Sequence, residues 1–307
     1  MARELSRKKG AIFSILAAMC FAAVGILMQF AEQHTSQPVV IFFRQLFSLL
    51  TVMPILLWQI ANAPHHRVSI CKTKYFSMHV WRTIFGLLQL YALLYALSLL
   101  SLSNALVLSY TRALFTPLMI WLWYKKKLGK SMWVGILLGF IGTLFILKPE
   151  GKIHHLGTIV GLASGFFGTC SNFSMRRLAK KEPPIRILFY FFVLSILVSA
   201  IPLLWSWETP SSNAIWGTFI LIGILGTIYQ FFLTLSYHFA KPSYTNGFLY
   251  LAIIFTMLYE LIWQKKAPDA YSIIGTILIF IGTLLVGFIH SSSEDNTIDD
   301  SMEDSLK

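Results

Sequence analysis

Runs of about twenty apolar residues alternate with short polar or basic breaks along nearly the whole chain. Ten such runs fall at roughly 10–30, 38–60, 79–99, 102–124, 131–148, 157–176, 187–206, 214–238, 242–264 and 269–289. Each is near the ~20 residues that a helix needs to cross ~30 Å of hydrocarbon. The third and fourth runs are separated only by LSLSN, but merging them would give a segment of over forty residues, too long for one crossing. The first run, Gly10 to Phe30, exceeds the ~7–15 apolar residues of a signal peptide and reads as a retained helix.

The pattern also repeats. Shifting the chain by 140 residues lays LSYTRALFTPLMIWLWYKK over FLYLAIIFTMLYELIWQKK, and GFIGTL over IFIGTL. Without gaps, 15 of 42 positions from Ser103 to Leu144 are identical to their partners. Shared hydrophobicity does not account for the matched Tyr110/Tyr250, Trp123/Trp263, Lys125-Lys126/Lys265-Lys266 and Gly135/Gly275. Small residues at every fourth position, Gly10, Ser14, Ala18 and Ala22, mirror Gly157, Gly161, Gly165 and Thr169. Such stripes let neighbouring helix backbones approach closely. Each copy holds five runs, and five is odd, so the second copy enters the membrane from the opposite side. The expected fold is an all-α integral membrane protein of ten transmembrane helices, arranged as two inverted five-helix repeats. The expected boundaries are a cytoplasmic N-terminus at 1–9, a first repeat at 10–148, a linker at 149–156, a second repeat at 157–289 and an acidic disordered tail at 290–307.

Composition agrees with a lipid-embedded chain: 12% charged residues, half the level usual in soluble domains, and mean hydropathy +0.67. The net charge of +12 is not a nucleic-acid signal, because the basic residues border apolar spans instead of forming a soluble face. Seventeen of them fall on one side of the ten-span arrangement and four on the other, which places both termini in the cytoplasm. Cys20, Cys71 and Cys170 have neither metal-ligand nor disulfide-framework spacing, so no metal and no cofactor are expected.

The pieces FFRQLFS, SNALVLSYTRALFTPL and GFIGTLFILKP, in two five-helix halves over about residues 10–289, resemble the drug/metabolite transporter superfamily and its EamA-type ten-helix branch. FFR, WRTIFG, GFIG and LKP are similar to the bacterial S-adenosylmethionine carriers of that branch. The resemblance implies a cavity between the halves, lined mainly by helices one, three, four, six, eight and nine. One departure stands out: family halves commonly end their fourth helix with a motif containing Glu, where this chain has Lys126 and Lys266.

Three arginines fall inside spans: Arg44, Arg82 and Arg112. Intramembrane charge is costly, about 2.5–3.5 kcal/mol or more at mid-bilayer. Arg112 has Ala252 as its repeat partner, so the architecture itself does not call for a charge there. Arg112 sits too deep to reach the interface, whereas Arg82 lies close enough to one end to snorkel. Arg44 and Arg82 are expected to be gating or structural charges. The expected substrate-binding residues are Arg112, Ser109 and Thr116 on its helical face, Glu260 as a countercharge, Tyr110, Asn104 and Tyr250. Of the further tyrosines, Tyr91, Tyr95, Tyr229, Tyr237 and Tyr259, most are expected to pack or sit at the interfaces and a few to offer a ring to the solute. Gln89, Gln230 and Asn172 add neutral hydrogen-bonding groups, and Pro117 is expected to bend the fourth helix.

The expected function is transport of a small polar metabolite by alternating access in a bacterial inner membrane. The first candidate solute is S-adenosylmethionine or a related amino-acid or nucleoside-like molecule. Export of aromatic amino acids is the alternative, and a membrane-embedded lipid-modifying enzyme a remote one. The partners are then a small molecule and the lipid bilayer. The chain carries no His-Glu-x-x-His, paired-aspartate or Gly-x-Ser-x-Gly motif to support catalysis.

Overall fold

The apolar runs fold into helices throughout. The computed structural model describes residues 2–62, 72–124, 130–147, 155–210, 212–240, 245 and 248–293. Among these residues all regular structure is helical. The helices are α1 (Ala2–Glu32), α2 (Gln37–Asn62), α3 (Phe76–Leu99), α4 (Leu102–Tyr110), α5 (Arg112–Tyr124), α6 (Lys130–Leu147), α7 (His155–Lys181), α8 (Pro184–Leu203), α9 (Asn213–Phe239), α10 (Leu251–Ile262) and α11 (Ala270–Ser293). Five of them, α1, α2, α3, α8 and α9, contain segments long and apolar enough to cross a membrane. The acidic tail from Glu294 onward, the Lys125–Lys126 pair and Asn246 lie outside the described residues.

The LSLSN junction separates α3 from α4 because Ser101 caps the second helix, its hydroxyl accepting from the Asn104 N–H. Helix α7 is the most polar of the long helices because its Gly, Ser and Thr face protein. Gly157, Gly161, Ser164, Gly165, Gly168 and Thr169 are all buried. A Cβ on Gly161 would stand 2.8 Å from the Leu108 side chain, so this stripe seats α7 against α4. Large apolar side chains such as Leu137, Leu144, Ile159, Leu197, Ile201 and Ile277 point outward, as in a protein whose outer surface meets lipid.

The main pairings are α1 with α9, α3 with α7, α6 with α11, and α2 with both α8 and α9. The α6–α11 contact is backbone against backbone. A Cβ on Gly142 would lie 2.7 Å from the Gly275 carbonyl oxygen, and one on Gly282 would lie 2.5 Å from that of Gly135. At one end of the bundle Glu182 gathers the Thr73 hydroxyl, His79 (2.8 Å) and Arg186 (3.5 Å), tying the start of α3 to the α7–α8 turn.

Helix α10 ends in a left-handed turn. Lys265 has φ 53°, and the Lys266 N–H donates to the Glu260 carbonyl at 3.0 Å. A side chain is penalised in that conformation and glycine is not, so Lys265→Gly is expected to raise unfolding free energy by about 1 kcal/mol. Chemical denaturation in detergent is the check, and a loss of stability would contradict the turn assignment.

Candidate functional site

The fourth apolar run is not one helix. It is interrupted at Thr111, where the chain tightens: the Thr111 N–H and hydroxyl both donate to the Leu108 carbonyl, at 3.1 and 2.6 Å. The interruption thus falls six residues before Pro117, where the sequence places a bend; the Pro117 side chain lies outside the described set. Helix α7 makes room for it. A Cβ on Gly165 would meet the Thr111 hydroxyl at 2.5 Å and the Leu108 carbonyl at 2.9 Å, and the Thr169 hydroxyl donates to the Arg112 carbonyl at 2.9 Å. In the second half, the turn at Tyr250, the residue 140 positions after Tyr110, directly precedes α10. The Tyr250 hydroxyl donates to the Tyr110 carbonyl at 3.1 Å, so the two interruptions touch.

The break makes Arg112 the first residue of α5 and buries it to 2% exposure. Its guanidinium carbon sits 4.5 Å from the centre of the Tyr110 ring, and Tyr229 lines the same cavity. Its Nε and Nη2 have no hydrogen-bond partner. These two nitrogens share one edge of the guanidinium, the fork that a carboxylate or phosphate grips with two parallel hydrogen bonds. A buried donor is almost always paired. Two adjacent orphans on one planar cation are what a site awaiting an anion presents.

Arg112 is part of the lining of a small polar cavity that is partly open to solvent, and the other two intramembrane arginines line the same space. Arg82 donates to the Ile187 carbonyl at 3.3 Å and to the Gln230 side-chain oxygen at 3.2 Å, with its guanidinium 4.6 Å above the Phe191 ring. It is 1% exposed, so it points inward and does not snorkel. Arg44 leans on the Met28 thioether at 3.5 Å and passes beside Gly226, where the missing side chain leaves room for it. Among the described residues no carboxylate lies within ion-pair distance of any of the three. Gln45, Gln89, Asn172, Phe21 and Tyr229 complete the chemically distinct part of the lining.

The remaining sequence candidates divide. Tyr110 is the platform under Arg112, and it packs on Phe21 (5.7 Å) and Tyr250 (5.3 Å). Tyr250 stands behind Tyr110 and not on the cavity wall. Ser109 is buried, and Thr116 returns its hydroxyl to the Arg112 carbonyl at 2.9 Å; neither lines the cavity. Asn104 donates to the Ser272 hydroxyl at 3.1 Å. Glu260 is not brought to Arg112: its carboxylate accepts from the Ser103 N–H and hydroxyl at the positive end of α4. Nine residues of helix, on the order of 13 Å, separate that point from Arg112. The helix census changes as well: the ninth span contributes none of the lining residues, while α2 and α8 supply Arg44, Gln45 and Phe191. Gln45 and Phe191 carry no sequence signal of their own. Only their helix faces bring them inward.

A helical membrane bundle enclosing a polar, cationic cavity defines the class of membrane-embedded solute carriers. Within it, the chain belongs to the EamA-like transporter family, whose model matches residues 8–148 and again 155–288. It is similar to a pseudopaline exporter of Pseudomonas aeruginosa, 26% identical over 90% of this chain and 95% of the relative. A riboflavin transporter of Vibrio cholerae is 24% identical over 78% and 80% of the two chains. An S-adenosylmethionine uptake transporter of Rickettsia prowazekii is 24% identical over 83% and 84%. A solved crystal structure superposes with TM-score 0.65 over 94% of this chain and 99% of its own, at 16% identity, a likeness of fold alone. The protein is a membrane transporter of a small metabolite and not an enzyme.

Proposed function

We propose that the chain crosses a bacterial inner membrane ten times and carries an anionic metabolite by alternating access, with the arginine-lined cavity as its substrate site. The observation that carries this reading is Arg112, a buried cation with two unpartnered donors that shares the lining of one polar cavity with Arg44 and Arg82. Arg44 and Arg82 act there as further substrate-facing charges, and Tyr110 orients the Arg112 plane. Ser109, Thr116, Tyr250, Asn104 and Glu260 support the elements around the site.

The two repeats are proposed at 10–148 and 157–289, with 149–156 as the linker and segments 1–9 and 290–307 in the cytoplasm. A two-fold relation between the halves is supported by the packing, and the odd number of spans in each makes it an inverted one. Exchanging each helix for its counterpart in the other half turns the α1–α9 pair into α7–α3, and returns α6–α11 and α2–α8 to themselves. The matched interruptions at Thr111 and Tyr250 support it too. Discontinuous helices at the midplane are a recurrent way for such carriers to present polar groups to a solute.

The relatives' names span riboflavin, S-adenosylmethionine and pseudopaline, so the substrate has to be read from the cavity. Counterflow in liposomes reconstituted with the full chain, using a labelled panel of amino acids, organic acids, nucleotides and S-adenosylmethionine, is the test. At least one labelled solute is expected to accumulate against an unlabelled load. Correctly folded protein that exchanges none of them would sink the proposal.

A further inference from the structure

We infer that the cavity is built for a solute bearing at least two separate acid groups, carboxylate or phosphate, and that it discriminates against solutes of net positive charge. This rests on the cavity being the transport site and deepens that reading.

The charges come from three different helices: Arg44 from α2, Arg82 from α3 and Arg112 from α5. The polar side chains between them are neutral amides and two hydroxyls, Gln45, Gln89, Asn172, Gln230, Ser171 and Tyr229, and no acidic residue among the described residues lines the cavity. Carboxylates buried elsewhere in the described bundle are already engaged. Glu260 receives Ser103, and Glu182 receives Thr73, His79 and Arg186. Among the described residues no carboxylate balances the three guanidinium groups, held in a low-dielectric interior where an unpaired charge is strongly disfavoured. A single acid group on Arg112 would leave Arg44 and Arg82 uncompensated.

The three sites are also pre-shaped differently. Arg82 is pinned by the Ile187 carbonyl and Gln230 and stacked on Phe191, so it offers a fixed charge. Arg112 offers a planar fork whose two donors are unpartnered. Arg44, held among the described residues only by the Met28 thioether, offers the most adjustable of the three. A solute with one acid group in the Arg112 fork and a second directed toward Arg82 and Arg44 satisfies all three. A sulfonium-bearing amino acid brings one carboxylate and two cations, and the lining holds no carboxylate to receive either cation.

The test is a charge ladder at nearly constant size on the full chain in detergent: monomethyl glutarate, glutarate, tricarballylate and glycerol 3-phosphate, with S-adenosylmethionine as the cationic arm. Binding is read by calorimetry and transport by counterflow in liposomes. Glutarate is expected to bind about ten- to a hundred-fold more tightly than its monoester, the scale of one added charge-assisted contact. Tricarballylate is expected to bind at least as well as glutarate. Glycerol 3-phosphate separates the acid types: binding within tenfold of glutarate means the site accepts phosphate, and weaker binding assigns it to carboxylates. Arg44→Gln, and separately Arg82→Gln, should shrink the preference for the diacid; Arg44→Gln keeps the test open should the more tightly held Arg82 variant fail to fold. Equal affinity for monoester and diacid, or failure of every acid to bind, overturns the inference. Counterflow of S-adenosylmethionine without counterflow of diacids overturns it too, yet leaves the transporter reading standing. Absence of counterflow for any solute defeats both.

Discussion

Arg112→Met is expected to lower transport at least about 30-fold while raising the melting temperature of the substrate-free protein. The two halves have one cause. Truncating one partner of a buried, hydrogen-bonded charge pair costs roughly 2–5 kcal/mol of binding, about 30- to several-thousand-fold. In the substrate-free state that pair does not exist: Nε and Nη2 are buried without acceptors, and no described carboxylate is within ion-pair reach. Replacing buried charge by well-packed apolar side chains of similar volume has gained about 1–4 kcal/mol in comparable cases. Methionine keeps the length of the stem over Tyr110 and removes the uncompensated charge. Arg112→Lys should fall between, because it keeps the charge and loses the planar fork. Initial uptake rates in liposomes and thermal melts in detergent decide the matter. Wild-type transport in Arg112→Met would defeat the site assignment, and a lower melting temperature would make Arg112 a structural residue.

The second large effect concerns the fold. Gly282→Leu is expected to destabilise the bundle by at least about 2–3 kcal/mol, and Gly142→Leu by a similar amount. Overpacking a tight interior typically costs about 1–3 kcal/mol, and more where backbone has to move. Here the obstacle is backbone: the Gly135 carbonyl and Gly139 N–H at 2.5 and 2.7 Å from a Cβ on Gly282, and the Gly275 carbonyl at 2.7 Å from one on Gly142. No rotamer relieves such a contact, so α6 and α11 must separate. Gly217 in α9 is the contrast, since nothing lies within 4 Å of the corresponding Cβ. Gly217→Ala should therefore be neutral or stabilising by up to about 1 kcal/mol through helix propensity. Monodisperse yield and melting temperature of the three variants give the comparison. A Gly282→Leu protein melting within a degree or two of wild type would exclude a backbone-to-backbone interface.

Both effects bear on transport. A carrier that alternates between two states needs a part that holds and a part that moves. The α6–α11 contact has the character of a hold, with two helices in direct backbone apposition. The Thr111 interruption has that of a joint: it places Arg112 with one tight turn, braced by a single hydroxyl from α7.

Sequence and structure contributed different things. The helical membrane class and the runs that became helices follow from hydrophobic pattern alone, because lipid demands long apolar segments and tolerates few charges. The 140-residue repeat was legible in matched residue identities such as Tyr110/Tyr250 and Gly135/Gly275. The exceptional status of Arg112 was legible from the repeat: its counterpart is Ala252, so the architecture does not call for a charge there, and the structure buries that alanine fully. That Arg44 and Arg82 share its cavity was not legible. One lies near the start of its helix as the chain enters α2, the other near the start of α3, and sequence depth favoured an interfacial role for Arg82. Only the packing of α2 against α8 and α9, and of α3 against α7 and α8, turned both inward. Glu260 shows the converse. Charge complementarity made it a natural partner for Arg112, and the tertiary structure instead set its carboxylate on the N-terminus of α4. Which residues cross the bilayer is a local property of each segment, decided by transfer free energy. Which charges meet depends on helix rotation and pairing, and those are decided only when small residues such as Gly165, Gly223 and Gly282 let particular faces come together.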